Sequence, residues 1–289
     1  MTASTTPGEA PALPAAQQHS VQLHRRQADG SVLAAQQPRL LANEVPVALV
    51  FNGISHAVMM CTPQDLPALA LGFALSEGTL DPASDCRRIH VQVVTDHVAG
   101  LPAGVHGIEV LLEISPRSFA RLKDRRRSLA GRTGCGVCGV ESFAALDLSF
   151  PPLAHQPWAA QIGLTQVLHA LQQLADKQLL SAQCGGLHAA GWCSVDGTLL
   201  DVFEDVGRHN ALDKLMGALA RSARLQEPGF VILSSRGSHE LVRKCAKLGI
   251  AAMATVSAPT SMGVRMAELT GMRLWGSCRG TQGTLHSSG

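Results

Sequence analysis

Apolar and polar positions recur along this chain with two periods, one of two residues and one of three to four. Residues 47–51 and 54–60 are β-prone runs around Asn52-Gly53. That dipeptide predicts a hairpin, because the tight turn needs positive φ at both central residues. Leu66, Leu69, Ala70 and Phe73 then repeat at helical spacing up to Gly78, with Thr62 as the cap, Pro63 at the first helical position and Asp65 in the first turn. Runs at 89–95 and 107–114 read as strands, so the first third is predicted to be mainly β with one helix. From residue 164 the pattern becomes α/β. Leu164, Val167, Leu168, Leu171 and Leu174 form a helical stripe, and Asp196-Gly197 marks a second hairpin. A helix over 208–221, a strand over 230–233, a helix over 239–248, a strand over 250–256, a helix over 260–270 and a strand from Arg273 follow. Gly249 and Gly271 stop two of these helices. The short connections imply parallel strands joined by right-handed crossovers.

Composition narrows the function. The 289 residues carry 24 basic and 22 acidic side chains, a net charge of +2, which argues against a dedicated DNA binder. Aromatic residues reach 3% with no tyrosine, which argues against a sheet that stacks bases on rings. The longest apolar runs fall short of the roughly 18 residues that span a bilayer. The first twenty residues lack the basic start and apolar stretch of a signal peptide, and a cytoplasmic protein is expected. Four regions are predicted: a disordered tail over 1–29, a β-rich domain over 30–116, a basic linker over 117–160, and an α/β domain over 161–289. Residues 117–132 carry seven basic side chains against one acidic.

The linker contains Gly131-Arg-Thr-Gly-Cys-Gly-Val-Cys-Gly139. Four glycines make it pliant, and Arg132 with the preceding basic run favours thiolate over thiol at Cys135 and Cys138. Such a thiol can accept a group at one place and release it at another. A structural zinc site would need two further ligands, for which Cys184, Cys193 and His188 are candidates, although their spacing does not demand it. A thioredoxin-like dithiol would sit at a strand–helix junction, unlike this pair. Three further segments read as ligand loops. Gly186-Leu-His188 precedes Glu204-Asp-Val-Gly-Arg-His-Asn-Ala-Leu-Asp-Lys214, whose Arg208 and His209 open a helix suited to an anion. A capped, solvated helix start with Asp205 as cap reads the same residues equally well. Ser234-Ser235-Arg236-Gly-Ser-His-Glu240 lies between a strand and a helix, where α/β proteins bind ligands, although the same residues make ordinary N-caps. Gly276-Ser-Cys-Arg-Gly-Thr-Gln-Gly283 is polar and glycine-rich after the last strand, and composition alone favours a frayed terminus there.

Taken in order, these motifs resemble the FdhD family, the formate dehydrogenase accessory sulfurtransferases, over about residues 30–285. Asn52-Gly53 and Thr62-Pro63…Gly72-Phe73…Ser76-Glu77-Gly78 fit the same family. The resemblance implies a sulfurtransferase acting through a cysteine persulfide. Sulfane sulfur would pass from a cysteine desulfurase to the molybdenum (or tungsten) bis(molybdopterin guanine dinucleotide) cofactor, before that cofactor enters the formate dehydrogenase catalytic subunit. By position, Cys135 would carry the persulfide and Cys138 would support it. The cofactor-binding tail maps to Ser277, Cys278, Arg279, Gly280, Thr281 and Gln282, with His188, Arg208, His209, Ser235 and Arg236 around it. Ser277 and Thr281 stand where relatives usually carry an aromatic residue and an arginine. The resemblance also implies a homodimer, no intrinsic metal, no nucleic-acid partner and no membrane span. The implied fold is α+β overall, a three-layer C-terminal domain like that of cytidine deaminases beside a smaller, mainly β domain. His188 is followed by Ala189-Ala190 and no Pro-Cys-x-x-Cys occurs, so zinc hydrolysis is not supported. A protein that holds the cofactor without sulfur chemistry is the rival reading.

Overall fold

The computed structural model of the chain describes residues 13–95, 100–128 and 151–289. Cys135, Cys138 and the glycine-rich loop around them lie outside the described residues. Two strands open the chain, β1 (Ala16–Arg26) and β2 (Val32–Ala42), paired antiparallel along their whole length as a separate ribbon. The tail expected over 1–29 is therefore a strand from residue 16. The turn that makes it one is Ala28-Asp29-Gly30, with Gly30 at φ 87° and the Asp29 carboxylate accepting from the Ser31 amide and hydroxyl. Those bonds hold the Asp29 carboxyl below its ordinary pKa.

The next sheet runs in the order β4-β3-β6-β5 and comprises β3 (Val45–Phe51), β4 (Ile54–Cys61), β5 (Cys86–Val94) and β6 (Gly107–Ile114). Asn52 and Gly53, both at positive φ, make the β3–β4 turn as the sequence requires. α1 (Leu66–Ser76) lies on this sheet and starts four residues beyond Thr62. Thr62 is not its cap; the other half of the molecule uses Thr62 instead, as described below. α2 (Pro116–Ser128) occupies much of what the sequence assigns to a linker. Ser115 accepts from the Ser118 amide and Pro116 suits the first turn. Leu122 is buried in the N-terminal core and Phe119 packs on it. Ser118 donates to Asp85 at 2.6 Å and Arg121 pairs with the same carboxylate at 3.6 Å. The charge run thus conceals an apolar stripe.

After α3 (Leu164–Lys177) and α4 (Leu179–Cys184), the C-terminal half builds a six-stranded sheet ordered β12-β11-β10-β9-β7-β8. Its strands are β7 (His188–Cys193), β8 (Leu199–Asp205), β9 (Phe230–Leu233), β10 (Ala252–Thr255), β11 (Arg273–Arg279) and β12 (Gln282–Ser288). β9, β10 and β11 are mutually parallel, while β7 and β12 run against their neighbours. α5 (Arg208–Arg221), α6 (His239–Lys247) and α7 (Ser261–Thr270) share a core with one face, and α3 covers the other. This is a three-layer arrangement. The chain end is not frayed: β12 closes the sheet, and two residues, Ser277 and Cys278, bulge opposite the single Gly283, with Ser277 at φ 54°.

The two halves meet where α1 crosses α5. A Cβ on Gly72 would stand 1.8 Å from the Asp213 carbonyl oxygen, and one on Gly217 would stand 1.8 Å from that of Ala68. Only glycine permits that approach. Two buried polar clusters flank the crossing. In one, Lys214 and Asp205, both fully buried, pair at 2.7 Å. Lys214 also donates to the Thr62 and Glu204 carbonyls, and Asp205 accepts from the Thr62 amide, the Gly207 amide and Asn210. The Thr62 hydroxyl accepts from the Val206 amide. In the other, Lys244 donates to Asp213 at 2.9 Å, Glu77 at 2.8 Å and Ser76 at 2.8 Å, and Arg243 holds the second oxygen of Glu77. Burial works against the Lys244 charge, but the two carboxylates outweigh it and hold the ammonium above its ordinary pKa.

Two outcomes follow from this crossing. Gly217→Ala should lower stability in urea unfolding by about 3 kcal/mol or more, since backbone rather than a side-chain tip must give way; a change within about 0.5 kcal/mol would contradict the close approach. Lys214→Met alone should cost about 3–5 kcal/mol by stranding Asp205. Adding Asp205→Asn should recover part of that loss, whereas simple additivity would deny the pairing.

Candidate functional site

The ligand loops named by the sequence gather at one edge of the six-stranded sheet. This is the carboxyl edge of the parallel strands β9, β10 and β11, where crossovers leave room for a ligand. Backbone and side-chain bonds join the loops into a continuous rim. The Ser234 hydroxyl accepts from the Ala189 amide at 2.8 Å, and Ser235 O accepts from Ser257 N at 3.4 Å. Ser257 O in turn accepts from Ser277 N at 3.3 Å, and Arg279 Nε donates to Val256 O at 3.3 Å. A Cβ on Gly276 would stand 2.4 Å from Pro259 Cδ, so glycine is required where the β10 and β11 loops touch.

His188 is the first residue of β7, directly opposite Asp205 at the end of β8. Its pKa is lowered by burial first, then by the Arg208 charge and by His209, with Asp205 opposing. His209 Nε2 lies 2.5 Å from Glu240 Oε2, and Arg208 lies 3.9 Å from the same oxygen. Glu240, in the first turn of α6, ends the polar run that begins at Ser234, but nothing in the sequence assigned it a role at the site. Its only signal is its position just after the Ser238 cap. Ser235 is buried and Arg236 exposed. Among the described residues, the Arg208 Nε and the buried Ser238 hydroxyl have no hydrogen-bond partner.

The start of α5 is not the open anion site that its sequence permits. Asp205 already accepts from the Gly207 amide and from Asn210, so a carboxylate of the chain fills that place. Arg208 and His209 contribute through their side chains. Arg279, Gly280, Thr281 and Gln282 form the exposed β11–β12 turn, with Ser277 half-buried on the bulge. Cys278 differs from its neighbours. Its side chain is buried in the core beneath the rim and donates to Gly276 O, and burial pushes its thiol up to about 11. Only its backbone is left for a ligand. The rim therefore offers Arg208, Arg236 and Arg279 with two histidines, a donor set for an anionic ligand carrying phosphates.

The described cysteines supply neither a metal site nor an activated thiol. Cys193 is buried in the strand core and Cys184 half-buried, and no three His, Cys, Asp or Glu side chains gather as a ligand group among the described residues. Burial raises the pKa of Cys61, Cys86, Cys184, Cys193 and Cys245 as well. No helix among the described residues is long and apolar enough to cross a membrane.

Comparison with known proteins matches residues 42–288 to the model of the FdhD/NarQ family. A protein of Chromobacterium violaceum named sulfur carrier protein FdhD is 52% identical over 242 residues, covering 83% of this chain and 86% of its own. The protein of the same name from Burkholderia mallei is 48% identical over 258 residues, 89% of this chain and 90% of its own. Among solved structures, a Desulfotalea psychrophila protein described as a formate dehydrogenase accessory protein aligns with TM-score 0.67 at 21% identity. It covers 95% of this chain and 97% of its own, which supports the two-domain α+β fold.

The electrostatics of the rim can be read at His188. Its folded pKa lies below the unfolded one, so the unfolded chain takes the proton first. His188 therefore withdraws stability as pH falls through the ordinary histidine range. In an NMR titration, Arg208→Met should raise the His188 pKa towards its ordinary value; no change, or a further fall, would show that Arg208 does not act on that corner.

Proposed function

The chain belongs to the FdhD/NarQ family, and on that premise we propose that it is a sulfur carrier in the maturation of formate dehydrogenase. In this reading it is a sulfurtransferase. Thiolate at Cys135 takes the terminal sulfur of a persulfide on a cysteine desulfurase, releasing the desulfurase thiol. Cys138, three residues on, supports the loaded sulfur. The cargo's acceptor is a molybdenum or tungsten cofactor with two guanine dinucleotide arms, a substrate rather than a resident group. Its phosphates would be met by Arg208, Arg236 and Arg279, with His188, His209, Ser235 and the turn from Ser277 to Gln282 around them. The catalytic subunit of formate dehydrogenase receives the finished cofactor, and the carrier works as a homodimer.

One observation carries the choice of thiol. All six described cysteines are buried or half-buried, with burial holding each as neutral thiol. A transferable sulfur needs a thiolate, which leaves Cys135 and Cys138 in their basic, glycine-rich sequence. The rim itself is supported by its chemistry, since Arg208, Arg236 and Arg279 lie on loops at the edge where α/β sheets bind ligands. That rim would equally serve a protein that only holds the cofactor, and a single experiment separates the two.

Incubation with a desulfurase and cysteine should add the mass of one sulfur atom to the peptide bearing Cys135. Cys135→Ala should abolish the adduct and leave formate dehydrogenase unactivated in cells lacking the wild-type chain. Full activation by a Cys135→Ala/Cys138→Ala double variant would reject sulfur transfer in favour of cofactor holding.

A further inference from the structure

The ligand edge holds a carboxylate where an anion is to bind. Glu240 stands in the first turn of α6 and is buried. Its Oε2 lies 2.5 Å from His209 Nε2 and 3.9 Å from a terminal nitrogen of Arg208. Both of those residues open α5, so the contact ties the starts of two helices together. As a charge alone, Glu240 would repel a phosphate at this corner. The other carboxylate nearby, Asp205, is fully buried and paired with Lys214. Glu240 is thus the one whose presence at the edge calls for a reason.

The imidazole supplies it. An ionised carboxylate only accepts hydrogen bonds, so the ring nitrogen against Glu240 must carry the hydrogen. In a neutral ring that fixes the hydrogen on Nε2 and leaves Nδ1 to a different partner, because one ring nitrogen sets the state of the other. Nδ1 then accepts from a ligand while the ring is neutral and donates to it once the ring is protonated. The same bond opposes rotation of the ring, since turning it would strand a buried carboxylate oxygen. The His209 side chain is 31% exposed, so a buried anchor holds a ring that reaches the surface. Arg208, at 3.9 Å, is beyond hydrogen-bond reach of that oxygen and acts on it through charge. Its Nε has no hydrogen-bond partner among the described residues, a second donor at the same corner.

We propose that Glu240 is a positioning residue of the ligand edge, holding the His209 ring by Nε2 so that Nδ1 is presented to a phosphate of the bound ligand. Glu240 itself touches no ligand atom and acts through His209. This rests on the reading above, in which the rim meets the phosphates of guanine dinucleotide arms. A donor already held in place loses less freedom on binding, and that gain outweighs the repulsion of one buried negative charge.

Guanosine diphosphate and inorganic pyrophosphate are the probes, titrated into the full chain by calorimetry. Glu240→Ala should weaken both about tenfold although it removes a negative charge, and Glu240→Gln, which keeps an oxygen for the Nε2 hydrogen, should regain most of the loss. On a His209→Ala background, Glu240→Ala should cost no further affinity. Nitrogen NMR of the ligand-free wild type should place the hydrogen of the neutral His209 ring on Nε2, and Glu240→Ala should spread it over both nitrogens. Unchanged or tighter binding by Glu240→Ala, an equal loss on the His209→Ala background, a loss confined to the nucleotide, or the hydrogen on Nδ1 in wild type would each overturn the proposal while leaving the rim in place. A wild type that binds neither probe would bring down the rim as a phosphate site, and this inference with it.

Discussion

The crossing of α1 over α5 is the contact on which the rest of the molecule depends. Each helix forms the inner layer of its own half, so where they cross decides how the two sheets face one another. Gly72 and Gly217 let each backbone approach the other to a distance that no side chain allows. Dispersion at such a contact is strong but indifferent to sliding. The polar clusters on either side supply direction. Lys244 is saturated by Asp213, Glu77 and Ser76, and Lys214 by Asp205 and two carbonyls. Buried charges stabilise little on balance, yet stranding one is expensive, and that makes the alternatives to this docking unfavourable.

The same clusters reach the rim. Asp205 ends β8 opposite His188 and leads through Gly207 into Arg208 and His209. Its carboxylate is held from the other half by the Thr62 amide. Glu204, next to it, accepts from the Leu180 and Ser181 amides and caps α4. Most of the segment 204–214 therefore builds the scaffold, and only Arg208 and His209 face the ligand edge. A motif that looks like a binding loop is largely the clamp that sets the loop in place.

How much of this the sequence made legible follows the range of the forces involved. Local punctuation was readable. Asn52-Gly53, Gly249 and Gly271 adopt the positive φ that their turns and helix ends require. The strand at 230–233 and the helix at 208–221 stand where the periodicity puts them. The α2 start at Ser115-Pro116 was hidden beneath a run of arginines whose spacing suggests solvent. The β1–β2 ribbon escaped because neither face is apolar enough to announce a strand. Thr62 misled for a different reason: a hydroxyl before a proline reads as a cap, but its partners lie more than a hundred residues away. The roles of Glu240 and of the glycine pair at the crossing were not readable locally, since they arise only when two elements meet.

The distribution of thiols bears on how a sulfur carrier would avoid its own chemistry. A persulfide delivered to a cofactor on the rim would pass close to Cys278, which lies just beneath it in the core. Exchange needs an attacking thiolate, and its rate falls with the fraction ionised. With burial pushing its thiol up to about 11, Cys278 stays the neutral thiol at neutral pH. Its neighbours in the sheet also hide it from contact. A cysteine at that position can therefore shape the bulge at Ser277 without intercepting sulfur in transit. Under the sulfur-carrier reading, keeping the six described thiols neutral matters as much as ionising Cys135, because any exposed thiolate along the path would compete with the acceptor.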